Sequence, residues 1–171
     1  MPDRLSVVVT RRLPEPVETR LGELFNVRLN ETDAPMSRAQ LAEAMKGADV
    51  LVPTLTDQID QSLLAQAGDR LKLVANYGAG VDHIDVATAR QRGVLVTNTP
   101  GVLTDATADL AMTLMLMATR RAGEGERELR AGNWTGWRPT HLVGTKVSGK
   151  TLGIVGFGRI GQEMARRAHH G

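Results

Sequence analysis

Five short apolar runs recur along the first hundred residues, each separated from the next by a polar or helix-patterned stretch. They are Leu5–Thr10 (LSVVVT), Asn26–Asn30 (NVRLN), Ala48–Thr54 (ADVLVPT), Leu71–Gly78 (LKLVANYG) and Val94–Gly101 (VLVTNTPG). Apart from Asn26–Asn30, none alternates apolar with polar residues over its length, as a strand wetted on one face would. Unalternating strands interleaved with helices predict a parallel sheet covered on both faces.

The intervening stretches have helical spacing. Val17, Leu21, Leu24 and Phe25 share one face of Glu15–Phe25. Ser37 is a candidate N-cap and Gly47 a candidate C-cap for the stretch between them. Asp57–Gly68 and Asp85–Gly93 read as two further helices, with Gly93 past the end of the second. Pro100 and Gly101 punctuate the chain and predict a boundary between a domain of residues 1–100 and one of 101–171.

After that boundary the pattern changes. Ala106 to Ala118 is apolar nearly all round, which predicts a helix buried on most of its surface. Thr104 is a candidate N-cap, Asp105 suits the positive end of the helix dipole, and Arg120 and Arg121 suit the negative end. The following stretch, Gly123–Lys150, is glycine-rich and holds both tryptophans, Trp134 and Trp137. It reads as a short helix plus an arm, with the tryptophans as anchors for packing or an interface.

The chain then reads TLGIVGFGRIGQEMARRAHHG. A GxGxxG motif alone is weak, but Gly156-Phe157-Gly158-Arg159-Ile160-Gly161 lies between an expected strand and an expected helix, the setting the motif requires. Gly156 allows a tight turn, Gly158 lets a pyrophosphate approach the backbone, and Gly161 lets helix and strand pack closely. The helix N-terminus offers unpaired N–H groups to a phosphate. The acidic residue that selects NAD through its ribose is expected about 20 residues further on. The motif therefore predicts a dinucleotide, NAD or NADP.

A second candidate site is NYGAGVDHID, Asn76 to Asp85. Gly78 and Gly80 bracket Ala79 at the carboxyl end of an expected parallel strand, where open α/β sheets bind ligands. Successive amides there can form a nest for a carboxylate, or the turn can be a tight turn without a ligand. Asp82, His83 and Asp85 read as capping or backbone-satisfying groups rather than an acid/base pair.

Other function classes find little support. A net charge of +2 is too near balance to indicate a nucleic-acid partner. No apolar run approaches the ~18 residues of a membrane span. The sequence has no cysteine, which excludes disulfides and thiolate metal sites and fits a reducing compartment. The opening MPDRLSVVVTRR lacks the form of a signal peptide, which predicts a cytoplasmic location. His169 and His170 are adjacent and do not share a helix face, which argues against a metal site. They read as helix C-terminal cations before a C-cap Gly171.

Three segments in fixed order, NYGAGVDHID, GVLVTNTPGVLTDATADLAMTLML and GWRPTHLVGTKVSGKTLGIVGFGRIGQEMARRA, resemble the D-isomer-specific 2-hydroxyacid dehydrogenases, most closely the glyoxylate/hydroxypyruvate reductase branch. The similarity is strong from Leu71 onward and weaker before it. The resemblance implies a flavodoxin-like substrate domain followed by the first βα unit of a Rossmann nucleotide-binding domain. It implies substrate-carboxylate binding by the amides of Ala79 and Gly80, with Leu55 lining the pocket. It also implies cofactor contacts from Thr104 and from the Phe157–Gly161 turn. The helix Thr104–Arg121 and the Trp134–Trp137 arm match a homodimer interface, and Trp137 matches a tryptophan that reaches the partner's active site.

The family's catalytic Arg, Glu and His lie after the first Rossmann βα unit, and none has a counterpart in these 171 residues. The expectation is an oxidoreductase portion that moves no hydride by itself. The alternatives are a non-catalytic, dinucleotide-responsive binding protein resembling a co-repressor, and an inactive truncated fragment.

Overall fold

The computed structural model describes residues 4–170, with the side chain of His170 excepted. The reading of Gly171 as a C-cap and the first three residues of the N-terminal segment lie outside the described residues. The chain divides into two compact units, 1–100 and 101–171.

The first unit is built on a five-stranded sheet in the order β2-β1-β3-β4-β5, parallel at every pairing. The strands are β1 (Ser6–Val9), β2 (Asn26–Arg28), β3 (Val50–Val52), β4 (Leu73–Ala75) and β5 (Leu95–Thr97). Between them run α1 (Glu15–Leu24), α2 (Arg38–Gly47), α3 (Gln61–Leu64) and α4 (Val86–Gln91). Successive strand residues face opposite sides. Val8, Leu51 and Val74 therefore join Leu41, Met45, Leu63 and Leu64 in one core, under α2 and α3. Val7, Val9 and Val52 form a second cluster with Leu13, against which Leu21 and Phe25 pack. Burial on both faces explains why β1 and β3 do not alternate in sequence.

The helix ends follow side-chain chemistry. Ser37 caps α2 in a reciprocal box with Gln40. Gly47 closes that helix as its last residue, and Ala48 is the C-cap. The helix expected over Asp57–Gly68 is only the four residues of α3, because Asp57 and Ile59 are committed elsewhere. Asp57 is buried, and Ile59 pairs with Ile84 in an isolated parallel bridge. Asp60 takes the N-cap position and accepts from the Leu63 amide at 2.9 Å. Arg38, Ser62 and that amide all donate to Asp60, and the Arg38 guanidinium leads in holding its carboxyl well below the usual carboxylate range. Asp85 caps α4 through the Thr88 amide, which likewise lowers its pKa.

The second unit holds α5 (Thr104–Thr119), α6 (Ala122–Arg130) and α7 (Arg159–His170). Three expectations are corrected here. Thr104 is the first residue of α5 and not its cap. Leu103 occupies the cap position and makes no side-chain cap bond. Helix α5 is not buried on most of its surface: Ala108 is its one buried residue, and Leu110 and Leu114 are 57% and 55% exposed. The segment 151–155 forms no strand. A strand exists through ladder bonds to a neighbour, and no strand is found within 101–170 among the described residues.

Helices α5 and α7 are joined by charge. Arg167 bonds Asp109 at 2.5 Å, Asp105 at 2.9 Å and Glu163 at 2.8 Å. Beyond α6 the arm returns to the end of α5, where Thr145 donates its amide to the Thr119 carbonyl at 2.8 Å. A Cβ on Gly144 would stand 2.4 Å from that same carbonyl oxygen, so only glycine allows this approach.

Candidate functional site

Each unit presents one of the two expected sites, and each is built at the end of an apolar strand or expected strand.

In the first unit the carboxyl ends of β3, β4 and β5 lie side by side. The segment after β3 carries Leu55, 61% exposed. The Tyr77 amide donates to the Pro53 carbonyl at 2.8 Å and ties this segment to the end of β4. A Cβ on Gly78 would come within 3.0 Å of Leu55 Cδ2. A methyl at Gly78 would press on the end of the Leu55 side chain, which lies against the turn there. Beneath the segment, Asp57 accepts from the Thr10 hydroxyl at 2.5 Å and from the Thr54 amide at 2.9 Å.

The turn itself is held by its carbonyls. Gly78 O accepts from the Thr99 amide at 3.0 Å and from Asn76 Nδ2 at 3.3 Å. Ala79 O accepts from Asn98 Nδ2 at 2.7 Å. Gly80 O accepts from Asn76 Nδ2 at 2.8 Å. Among the described residues no acceptor is found for the amides of Ala79 and Gly80. Carbonyls tied inward and amides left unpaired make an anion nest of the kind a carboxylate fills.

His83 does not stand in reach of that role as a free base. It is 8% exposed, and its Nε2 lies 3.0 Å from Asn76 Oδ1. The expectation that His83 satisfies a polar group holds, but its partner is a side chain rather than backbone. Asp82 lies near the turn, 3.9 Å from where a Gly80 Cβ would stand.

In the second unit the three glycines of the motif differ in their reasons. Gly156 has φ +91°, a conformation L side chains rarely adopt. A Cβ on Gly161 would stand 2.2 Å from the Gly156 carbonyl oxygen, so the helix start and the turn touch there. A Cβ on Gly158 would meet open space, so the fold does not require glycine at that position. What Gly158 keeps clear is the approach to the turn from outside. Phe157 is 63% exposed, Ile160 is 38% exposed, and Gln162 Nε2 donates to the Phe157 carbonyl at 3.1 Å. Arg159 opens α7, whose first amides precede the helical hydrogen-bond ladder. Space at Gly158 and a free helix N-terminus fit a dinucleotide pyrophosphate. Thr104 stands beside Asp105, whose ion pair leads to the later half of α7.

Trp137 is 83% and Trp134 54% exposed. The arm that carries them is fastened to α6 by an ion pair from Arg138 to Glu128, with His141 Nε2 2.7 Å from the other oxygen of that carboxylate. Among the described residues no group of three or more His, Cys, Asp or Glu side chains could hold a metal ion, and no helix is long and apolar enough to cross a membrane.

Sequence reasoning singled out the turn at Ala79 and Gly80 and the glycine motif but not Asn76, Asn98, Thr99, Thr10 or Asp57, which hold that turn and the Leu55 segment in place. One signal was present: Asn76 directly follows β4, two positions before Gly78.

Residues 7–165 match the family model described as D-isomer specific 2-hydroxyacid dehydrogenase, catalytic domain. A glyoxylate reductase of Korarchaeum cryptofilum is 47% identical over 95% of this chain and 49% of its own length. A glycerate dehydrogenase of Hyphomicrobium methylovorum is 40% identical over 95% of this chain and 50% of its own. Among solved structures, a D-isomer specific 2-hydroxyacid dehydrogenase described as putative and NAD-binding, from Polaromonas, superposes with a TM-score of 0.90. It is 39% identical and covers 99% of this chain, which covers 53% of it. An NADPH-dependent glyoxylate/hydroxypyruvate reductase of Sinorhizobium meliloti, in complex with NADP and malonate, gives a TM-score of 0.80. It is 33% identical over 98% of this chain and 51% of its own. The chain thus spans about half the length of the relatives it matches.

Proposed function

The chain belongs to the D-isomer specific 2-hydroxyacid dehydrogenase family, and from that premise we propose that it supplies the carboxylate-binding amides and the pyrophosphate turn of a glyoxylate- or hydroxypyruvate-reducing enzyme. The observation that carries this reading is the pair of unpaired amides at Ala79 and Gly80 beneath Leu55. A 2-oxo acid such as glyoxylate offers a carboxylate to those amides. The Sinorhizobium relative is described with malonate, a dicarboxylate, and with NADP, which accords with the same chemistry.

The residues of the second unit fit a dinucleotide and form the start of a Rossmann domain. NAD or NADP would be held by Gly156, Phe157, Gly158, Arg159, Ile160 and Gly161, with Thr104 contributing from the start of α5. When bound, the nicotinamide supplies a hydride for the substrate carbonyl. This chain's own residues bind and orient: Ala79 and Gly80 hold the carboxylate end, and Leu55 shields it from water. His83, held by Asn76, donates no proton to substrate. Residues 1–171 alone therefore do not complete the acid–base chemistry of the reduction. The exposed face of α5, with Trp134 and Trp137, forms a homodimer interface, and Trp137 projects toward the partner's substrate site.

The test is residue-resolved NMR of the ¹⁵N-labelled chain. Glyoxylate and oxalate should shift the amides of Ala79 and Gly80. NADH or NADPH should shift the amides from Gly156 to Gly161. Silence at the first pair overturns the carboxylate reading, and silence at the second overturns the dinucleotide reading.

A further inference from the structure

We infer that Asn98 and Asn76 are positioning residues that aim the Gly80 and Ala79 amides one by one, and that His83 fixes Asn76 in the orientation this needs. The inference rests on the proposed carboxylate reading of the turn. It assigns the geometry of that turn to side chains outside it.

The argument starts from peptide geometry. In a trans peptide the carbonyl oxygen and the next amide hydrogen point to opposite sides of one plane. Fixing a carbonyl therefore fixes the direction of the amide that follows it. The chain has no cis peptide bonds. The 78–79 peptide is fixed by two donors on Gly78 O, the Thr99 amide at 3.0 Å and Asn76 Nδ2 at 3.3 Å. That turns the Ala79 amide away from β5. The 79–80 peptide is fixed by one donor, Asn98 Nδ2, at 2.7 Å from Ala79 O. That turns the Gly80 amide outward as well. Two adjacent amides directed away from their anchors converge on one anion only if both planes are held. A free Gly80 peptide plane would rotate, since glycine carries no side chain to resist it.

His83 enters through the Asn76 amide. Asn76 Nδ2 faces two carbonyl oxygens, of Gly78 and Gly80, and only an NH₂ group can donate to both. Oδ1 therefore faces His83 Nε2, at 3.0 Å. An acceptor there requires a proton on Nε2, which sets the tautomer of the ring. The ring is held in turn by its backbone, because the His83 carbonyl accepts from the Ile59 amide at 2.8 Å. Asn76 is 2% exposed, so a flipped amide would bury two unsatisfied carbonyl contacts. The chain of support runs from the Ile59–Ile84 bridge through His83 and Asn76 to the turn.

The two anchors make separable predictions, which a general loss of packing does not. Asn98 is exposed and answers for the Gly80 amide alone. In the ¹⁵N-labelled chain, Asn98→Ala should lower oxalate affinity about tenfold or more, the worth of one hydrogen bond to a charged group. The oxalate-induced shift at Gly80 should be lost while that at Ala79 persists. Asn98→Leu, of similar size but with neither donor nor charge, is the second variant and should give the same selective loss. His83→Gln retains a side-chain N–H donor toward Asn76 and should keep both shifts, whereas His83→Leu should weaken the shift at Ala79 and leave that at Gly80. In the unliganded wild-type chain, the side-chain NH₂ protons of Asn76 and Asn98 should exchange more slowly with water than those of a free asparagine.

The outcomes separate the two claims. If oxalate shifts neither Ala79 nor Gly80 in the wild type, the carboxylate reading falls, whatever the asparagines do. If oxalate shifts both but Asn98→Ala and Asn98→Leu leave the Gly80 response intact at an unchanged melting temperature, the positioning claim falls and the carboxylate reading stands. Rapid exchange of both asparagine side chains in the free chain also overturns the positioning claim.

Discussion

The Thr10 hydroxyl and the Asp57 carboxylate meet at 2.5 Å although 47 positions of sequence separate them. Thr10 directly follows β1 and Asp57 follows β3, and both are almost wholly buried. Asp57 also accepts from the Thr54 amide. The pair thus pins the segment that carries Leu55 to the end of β1. Thr10→Val keeps the shape and removes the donor, leaving a buried carboxylate one partner short. A cost of about 1–3 kcal/mol follows, with a drop of several degrees in melting temperature. Thr10→Ser should recover most of it. Equal melting of Thr10→Val and wild type by circular dichroism would show that the bond contributes nothing.

The glycines of the motif predict a split between stability and binding. Gly161→Ala places a methyl 2.2 Å from a backbone oxygen. Backbone must then move, at about 1–3 kcal/mol, and dinucleotide binding is lost with the turn. Gly158→Ala meets open space and should leave the melting temperature within a degree or two of wild type. The same methyl blocks the pyrophosphate, so NADH and NADPH affinity should fall by tenfold or more. Calorimetric titration beside thermal melting decides it. A Gly158→Ala chain that binds normally would remove this turn from the cofactor site.

Most of the first unit was legible because its signals are local. Val7, Val8 and Val9 read as a doubly covered strand from their run alone, and Ser37 reads as an N-cap from its place before a helical stretch. The errors come from interactions between distant residues. Nothing near Asp57 in sequence says that Thr10 will draw it inside and delay α3 to Gln61. Residues 151–155 have strand composition, yet a strand needs a neighbour, and composition does not supply one. The site divides the same way. The glycines at Gly78, Gly80, Gly156 and Gly161 are visible in the sequence by their spacing, and Gly156 has a positive φ that is a local demand. Asn98 reaches Ala79 O from beyond β5, and Asn76 takes its orientation from buried His83, so only the fold shows what they hold.

Acid should weaken the contact between α2 and α3 in a predictable direction. Arg38, the Leu63 amide and Ser62 together hold the folded-state pKa of Asp60 below its unfolded value. A depressed carboxylate contributes stability that is present above the unfolded pKa of about 3.9 and is lost as pH falls through the folded value. Asp60→Ala should therefore melt below wild type at pH 7, and the gap should narrow as pH drops below about 4. A gap that is constant from pH 7 to pH 2 would show that the charge is irrelevant and only the cap matters.

The pure chain should oxidise neither NADH nor NADPH in the presence of glyoxylate or hydroxypyruvate. His83 is the single histidine of residues 1–100, and its Nε2 is committed to Asn76. A positioned general acid contributes typically 10²–10⁴-fold, so binding without one leaves the reduction too slow to register. Absorbance at the nicotinamide band, followed over hours with enzyme at micromolar concentration, is the measurement. Turnover that disappears in His83→Gln would overturn both this prediction and the positioning role assigned to that residue.

Helix α5 predicts the state of assembly. Leu110, Leu114, Leu116 and Met117 are each more than two-fifths exposed on a helix of sixteen residues. Trp134 and Trp137 add exposed aromatic surface on the adjoining arm. Covering about 400 Å² of apolar area is worth roughly 10 kcal/mol at 25 cal/mol per Å². That is comparable to the whole margin of a folded domain, about 5–15 kcal/mol. A surface of that kind marks an interaction site. Light scattering on a size-exclusion column should therefore give a mass above 18.5 kDa for the chain, as a dimer or larger. Replacing Leu110 and Leu114 together by Lys should shift the population toward monomer, since each lysine puts a charge where the partner's apolar face would lie. A wild-type chain that elutes as a monodisperse monomer with a single cooperative melt would show that this helix needs no covering layer.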